Sequence, residues 1–165
     1  MHYQPDALDL RLLNLLQSDA SLSAAELAAT VNLSQSQCWR RVARLEQAGF
    51  VTQRAALLDR RRLGFGVLVF AHVRYARGAR QSLAEFEATI RSFPEVLECH
   101  MLMGDVDFLL KVVAQDVASY ERFLREKLSN IPAVQEVRSS IALTTVKETG
   151  RLPLEQLEPA HDRPA

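Results

Sequence analysis

The chain has little of what marks a membrane protein, a secreted disulfide-rich protein or a metalloenzyme. No apolar run approaches the roughly 20 residues that a membrane-spanning helix needs. The 165 residues include only two cysteines, Cys38 and Cys99, and we interpret both as small buried side chains in a reducing compartment. The four histidines are scattered without metal-ligand spacing, so no metal site is predicted.

Catalytic and targeting motifs are equally scarce. The chain contains no phosphate-binding glycine loop, no nucleophile elbow and no zinc signature. We therefore predict no catalytic residue and no cofactor, and we do not expect an enzyme. The first residues, MHYQPDALD, lack the basic stretch and apolar segment of a secretory signal, so a cytoplasmic protein is expected.

Charge is distributed unevenly along a chain whose formal net charge is zero at pH 7. Residues 34–63 contain seven Arg against two carboxylates, a local balance of +5. Residues 65–165 contain 12 Lys and Arg against 14 Asp and Glu, a balance of −2. This distribution favours phosphate contact through one basic region rather than through a uniformly basic surface.

The most informative segment is residues 23–50, which has the pattern of two short helices joined by a tight turn. Ser23 stands three residues before Glu26, and Ser34 stands three residues before Gln37, so each pair can form a capping box at a helix start. This spacing predicts a helix-turn-helix, the element that places its second helix in the DNA major groove.

The second of these helices has one apolar and one polar face. Cys38, Val42 and Leu45 share a stripe at helical spacing, which predicts a buried face. Glutamine can hydrogen-bond adenine, and arginine can bind guanine or phosphate, so the polar face suits DNA. A merely solvated face with stabilising charges is the alternative. The residues predicted to bind double-stranded DNA are Gln35, Ser36, Gln37, Arg40, Arg41 and Arg44.

From residue 65 the pattern changes to β-α-β-β-α-β, with strands expected over 65–75, 96–103, 108–114 and 137–146 and helices over 80–92 and 117–129. An internal repeat, apolar-Pro-x-Val-x-Glu, occurs at Phe93 and again at Ile131. In each copy the proline ends a helix and the valine begins the next strand. Two such halves form a ferredoxin-like sheet with both helices on one face. Its strands are apolar enough that we expect the open face to associate with a second copy.

The predicted fold class is α+β, with an N-terminal winged helix-turn-helix (three-helix) domain and a C-terminal ferredoxin-like βαββαβ domain. The three-helix domain is expected over residues 1–52, its first helix running from Asp6 to about Gln17, with Asp9 a favourable charge in the first turn. A linker or hinge strand is expected over 53–64, the ferredoxin-like domain over 65–152 and a tail over 153–165. The basic run at 60–62 is predicted either to touch the DNA backbone or to be solvated.

This arrangement resembles the Lrp/AsnC (feast/famine) family of transcriptional regulators over residues from about 6 to 152. The marks are the helix-turn-helix with its SQSQC start, then LLDRRRLGF, then MGDVDFLLKV. The last is similar to the family's Gly-Asp-x-Asp-aromatic loop, with Phe108 where tyrosine is more usual. The chain also has Ala133 where the family often has glycine.

The resemblance implies a DNA-binding regulator whose C-terminal domain binds a small molecule. An amino acid is expected, such as leucine, methionine or another apolar one. It further implies a homodimer that assembles to an octamer, with no membrane association. An architectural DNA-binding protein without an effector and a ferredoxin-like enzyme are the alternatives. The implied effector-binding residues are Met103, Gly104, Asp105, Val106, Asp107, Gln135, Ser139 and Ser140.

Overall fold

The computed structural model describes residues 3–76, 78 and 82–157. These residues divide into two compact units. Residues up to Leu57 form the helical unit together with those from Lys147 onward, and Leu58–Val146 form the sheet unit. The ferredoxin-like domain was expected over 65–152, whereas the sheet unit ends at Val146 and residues 147–152 belong to the helical unit. The end of the expected tail, 158–165, lies outside the described residues.

The helical unit contains three helices, as predicted. They span Ala7–Ser18 (α1), Ala24–Val31 (α2) and Gln35–Gln47 (α3). All three begin with a complete capping box, and those of α2 and α3 use the serines that the sequence indicated. The turn between α2 and α3 needs a left-handed residue, and Asn32 provides it at φ 57°.

The end of α3 is a Schellman motif. Gly49 has φ +79°, its amide donates to Glu46, and the Phe50 amide donates to Leu45. The predicted apolar stripe of α3 is buried and packs with α1 and α2 in one core. That core consists of Leu12, Leu16, Leu27, Ala28, Val31, Cys38, Val42 and Leu45.

A C-terminal segment packs against α1 in the same unit. The Gln17 side chain donates to the Leu152 carbonyl at 2.9 Å and accepts from the Leu152 amide at 2.8 Å. The Asn14 side-chain Nδ2 donates to the Glu155 carboxylate at 3.2 Å, within a short 3-10 helix over Leu154–Gln156. An apolar cavity of about 500 Å³ remains between α1, residues 50–54 and this segment.

Residues 53–64 were expected to form a linker or a hinge strand. All of them are described and none is in a strand, so this stretch is a linker rather than a hinge strand. Instead Asp59 organises a turn, since its carboxylate accepts from the amides of Arg61 and Arg62. The turn closes where the Phe65 amide donates to the Arg60 carbonyl at 2.8 Å.

The sheet unit has the predicted ferredoxin-like order. Its strands pair antiparallel in the spatial order β2-β3-β1-β4. The strands are Val67–Tyr75 (β1), Val96–Met101 (β2), Phe108–Ala114 (β3) and Val134–Ile141 (β4), and the helices are Leu83–Arg91 (α4) and Val117–Glu126 (α5). Residues 80 and 81 of the predicted helix lie outside the described residues.

The internal repeat marks the starts of two strands, and for the last strand it is more accurate than residue composition. Both of its valines, Val96 and Val134, are the first residues of their strands. The composition-based expectation for the last strand, 137–146, was shifted, because β4 ends at Ile141. The Ala142 amide still donates to Leu68, after which regular pairing stops.

The two faces of the sheet differ in character. The face covered by α4 and α5 holds the unit's core, which includes Val69, Leu110, Phe86 and Phe123. The open face is less apolar than the strand composition indicated. Alternation along the paired strands puts Phe70 and Leu109 on that face together with ion pairs. The pairs are Lys111–Glu98, Arg74–Glu136 and Arg138–Glu136.

Within the described part of the chain, no helix is long and apolar enough to span a bilayer.

Candidate DNA-binding and effector-binding sites

The polar face of α3 is open to solvent at its first turns. Gln35, Ser36 and Arg40 are exposed, and no ion pair engages Arg40 among the described residues. The buried stripe on the opposite side fixes the direction in which this face points. These three residues have the donors and acceptors that base edges and phosphates recognise.

Gln37 forms the capping box with Ser34 that the sequence predicted, and this contact occupies part of the side chain that was also predicted to bind DNA. Its Oε1 accepts from the Ser34 amide at 3.1 Å and from the Ser34 hydroxyl at 2.9 Å, which closes the capping box. Bidentate recognition of adenine needs both the oxygen and the nitrogen of a glutamine side chain. In this conformation Gln37 has only its nitrogen free.

Arg41 is held inside the helical unit by two carboxylates. Its Nη1 lies 2.7 Å from Asp6 Oδ2 and 2.8 Å from Asp9 Oδ1, and Asp9 is fully buried. Hydrogen bonds to both carboxylates raise the pKa of Arg41. Burial acts to raise the pKa of Asp6, but hydrogen bonds from Arg41 and the Asp9 amide outweigh it and lower that pKa overall. Arg41 therefore ties α3 to α1.

Arg44 is anchored on one side and open on the other. Its guanidinium carbon lies 4.3 Å from the centroid of the Tyr3 ring, and its Nη2 lies 3.6 Å from Asp9 Oδ2. The Tyr3 hydroxyl donates to the same carboxylate. Burial, followed by this hydrogen bond, raises the pKa of Tyr3 to about 12. Nearly half of the Arg44 side chain remains exposed.

The sequence contains a signal for this cluster beyond the first-turn charge of Asp9. Asp9 falls on the same stripe as Leu12 and Leu16, at i, i+3 and i+7, so helical spacing places it on the buried face. A buried carboxylate requires a cation or several hydrogen bonds. The interpretation of Asp9 as a favourable helix-start charge missed this requirement and, with it, the pairing with Arg41.

The three arginines at 60–62 differ in their contacts. Arg60 donates to the carbonyl of Phe65 at 2.9 Å, and Arg62 lies 3.4 Å from Asp59. Arg61 is exposed, and its side chain makes no ion pair within the part of the chain that the structure describes. Of the three arginines, Arg61 is the one whose whole guanidinium is available to a phosphate.

The predicted effector loop follows β2 and contains no regular structure. Gly104 has φ +155°, a conformation that favours glycine, and a Cβ atom there would meet nothing within 4 Å. The Asp107 carboxylate accepts from the Tyr75 amide at 2.8 Å, and the Asp107 amide donates to Val73 at 3.1 Å. Asp107 therefore fastens the loop to the end of β1.

The middle of the loop is open. Met103 and Asp105 are exposed, and Val106 is half-buried. Asp105 is joined to β1 through its backbone, since its carbonyl accepts from Arg74 Nε at 3.1 Å. The Asp105 side chain is thus exposed to an incoming ammonium group, while Arg74 contacts the backbone carbonyl of the same residue.

The three candidates on β4 do not face one way. Ser139 pairs with Ala71 in the register, on the helix-covered face, and its hydroxyl lies 2.5 Å from the Tyr120 hydroxyl. Ser140 pairs with Phe70 on the open face. Gln135 is exposed, at the bulge where β4 begins to pair with β1. The side chains of Ser139 and Ser140 therefore point to opposite faces of the sheet in this register.

Two protein-family models match the chain. A model described as winged helix-turn-helix DNA-binding matches residues 5–52, and one described as the Lrp/AsnC ligand-binding domain matches residues 68–152. The first match corresponds to the helices α1 to α3. The second corresponds to the four-stranded sheet, its two helices and the segment after β4.

Two similar proteins are named as leucine-responsive regulators. The leucine-responsive regulatory proteins of Salmonella typhimurium and Escherichia coli K12 are each 37% identical over 147 residues, which cover 89% of this chain and 90% of theirs.

Two solved structures are also similar. A transcriptional regulator of Neisseria meningitidis in complex with L-Met is 38% identical, with a TM-score of 0.87 over 90% of this chain and 96% of that one. An AsnC family transcriptional regulator of Agrobacterium tumefaciens is 39% identical, with a TM-score of 0.85 over 91% and 97%.

Proposed function

The chain belongs to the Lrp/AsnC family of DNA-binding transcriptional regulators, and we propose that Gln35, Ser36 and Arg40 carry its sequence readout while an amino acid binds at the loop 103–107. The observation that carries the first part is the exposed polar face of α3 opposite a buried stripe. We assign Gln37 and Arg41 to the stability of α3, and Arg44 to phosphate through its exposed side.

DNA binding is tested by fluorescence anisotropy of a labelled duplex recovered from a random library by selection with the full-length protein. Arg40→Ala should lower affinity for this duplex by about 10-fold or more, since a lost base contact costs roughly 1–3 kcal/mol. Affinity for a scrambled duplex should fall less. An unchanged affinity for the selected duplex would show that the assigned face is wrong.

Arg61→Ala serves as the comparison for a phosphate contact. It should weaken the selected and the scrambled duplex alike and flatten the dependence of affinity on salt, because each neutralised phosphate releases counterions. An effect confined to the selected duplex would contradict a backbone role for Arg61.

The effector proposal is supported by the charges around the loop. An amino acid needs a carboxylate for its ammonium and donors for its own carboxylate. Asp105 offers the first, while Arg74 and the loop amides offer the second. One structural relative was solved with L-Met, and the curated relatives are named as leucine-responsive, so methionine and leucine are the first ligands to test.

Calorimetry with L-methionine and L-leucine tests this site. Asp105→Ala should abolish or strongly weaken the binding heat, while Ser139→Ala, whose hydroxyl faces Tyr120, should leave it unchanged. Gly104→Val should also weaken binding, since valine is strained at this φ. Normal affinity in both loop variants would overturn the site.

The full proposal is a cytoplasmic homo-oligomer, a dimer through the open sheet face that assembles to an octamer, acting as a binding protein rather than an enzyme. Phe70 and Leu109 supply the apolar centre of that face, and the surrounding ion pairs can register one copy on the other. A binding protein without an amino-acid response would instead favour the architectural alternative.

A further inference from the structure

Trp39 is the single tryptophan of the chain, and it lies on α3 with 66% of its surface exposed. A large aromatic side chain normally contributes by burying its apolar ring and by giving its N–H a partner. Such exposure in the middle of a helix therefore calls for a partner outside this unit.

The fold of the helical unit makes no use of this ring. The core takes Cys38, Val42 and Leu45 from the same helix and not Trp39. Among the described residues, the indole makes no aromatic or cation–π contact. Removing the ring should therefore cost the unit little stability.

The helical geometry places the indole beside the face that we assign to DNA. At 3.6 residues per turn, Trp39 lies about 60° around the axis from Ser36. Gln35 lies one turn before Trp39 and Ala43 one turn after it. The alanine methyl is too small to cover the ring, so the indole stands at the margin of the polar face.

We propose that Trp39 is a DNA-contact residue whose indole packs against the sugar and a thymine methyl at the wall of the major groove, with its N–H donated to a phosphate oxygen. This rests on the proposed function, in which α3 enters the groove. Thymine methyls are read by apolar side chains, and the indole nitrogen is a donor only.

The surroundings favour DNA over a protein partner. The centre of a protein interface is depleted of charge, whereas Trp39 is followed directly by the exposed cation Arg40. Gln35 and Ser36, which lie on the preceding turn, are polar and exposed. Polar and cationic neighbours match phosphates and base edges.

Because Trp39 is the single tryptophan of the chain, the intrinsic tryptophan fluorescence of the protein reports on this residue alone. Emission of the full-length protein should be quenched on titration with the selected duplex, and the change should be half-maximal at the dissociation constant given by anisotropy of the labelled duplex. Unchanged emission while anisotropy shows saturable binding would overturn the inference. Emission that responds to dilution of the protein but not to DNA would also overturn it, in favour of a protein contact.

Two substitutions separate the parts of the contact. Trp39→Ala should lower affinity for the selected duplex about 10-fold, equivalent to 1.4 kcal/mol, with an unchanged melting temperature. Trp39→Phe should retain part of that affinity, because it keeps the apolar ring and loses the donor. Wild-type affinity in Trp39→Ala would overturn the inference.

Arg40→Ala keeps this result distinct from failure of the proposed function. If wild type binds and Arg40→Ala weakens binding while Trp39→Ala does not, only the role of Trp39 is wrong. If the wild-type protein shows no saturable, salt-dependent binding to any selected duplex, the proposed function itself is wrong, and the inference is lost with it.

Discussion

Substituting Arg41 tests whether a basic residue of α3 serves the fold or the DNA. Arg41→Ala would leave the fully buried Asp9 carboxylate without the guanidinium that lies 2.8 Å away. Breaking a buried ion pair by removing one partner costs about 3–5 kcal/mol, because the remaining charge is uncompensated.

The contacts that Asp9 would keep make the expected free-energy cost smaller than this. Asp9 would keep hydrogen bonds from the Tyr3 hydroxyl and the Asp6 amide, and Arg44 would remain 3.6 Å away. The Arg41 side chain is also 25% exposed, so water screens part of the attraction. We therefore expect a loss of about 2–3 kcal/mol in the free energy of unfolding, which lowers the melting temperature of a domain this small by roughly 10 °C or more.

Differential scanning calorimetry of the full-length protein measures this loss in the transition of the helical unit. Arg40→Ala is the matched control, since it removes an exposed arginine next in sequence. The pair Asp9→Leu with Arg41→Met should recover at least half of the loss, because apolar residues of similar volume can replace a buried ion pair.

The outcome separates the two roles. Arg41→Ala that melts within about 1 °C of wild type but loses affinity for the selected duplex at low temperature would refute the structural assignment. It would return Arg41 to the DNA-reading face predicted from the helical pattern.

Two further perturbations probe the same unit. The pKa of Asp6 is lowered in the folded state, so the charged carboxylate stabilises the fold above its unfolded pKa of about 3.9, and this stabilisation is lost as pH falls through the folded pKa. The difference in melting temperature between wild type and Asp6→Asn should therefore disappear in acid. A difference that stays constant with pH would refute this role of Asp6. Gln17→Ala removes both hydrogen bonds to Leu152 and should make residues 147–157 sensitive to limited proteolysis. Arg11→Ala, on the same helix, is the control and should not. Equal cleavage of the two variants would show that Gln17 does not hold this segment in place.

Features that depend on chemistry within four residues could be predicted from the sequence. The Ser34–Gln37 capping box, the glycine end of α3 and the strand starts at Val96 and Val134 are all of this kind. Each is determined by hydrogen bonds or proline geometry that neighbouring residues supply. Once the order of helices and strands is known, the rules for connecting strands leave only a few possible topologies, and the ferredoxin-like one is among them.

Features that depend on a distant partner could be predicted only in part: helical spacing places Asp9 on the buried face and so requires a cation there, but it does not identify that cation. The Arg41–Asp9 ion pair joins residues 32 positions apart, and the Tyr120–Ser139 hydrogen bond needs the register of β4. The opposite directions of Ser139 and Ser140 are an exception, since adjacent residues of any strand face opposite sides. The strand period alone therefore places these two side chains on opposite faces.

Two polar side chains of α3 are engaged in contacts within the helical unit. Gln37 closes the cap and Arg41 ties the helix to α1, so neither is free to adapt to different bases. Side chains held in this way fix the orientation of the helix before DNA arrives, which lowers the entropy lost on binding. On the proposed assignment, sequence readout then rests on few side chains, of which Gln35 and Arg40 are the most important. Specificity should accordingly be concentrated in a short stretch of each half-site, with the flanking bases contributing through backbone contact and DNA shape.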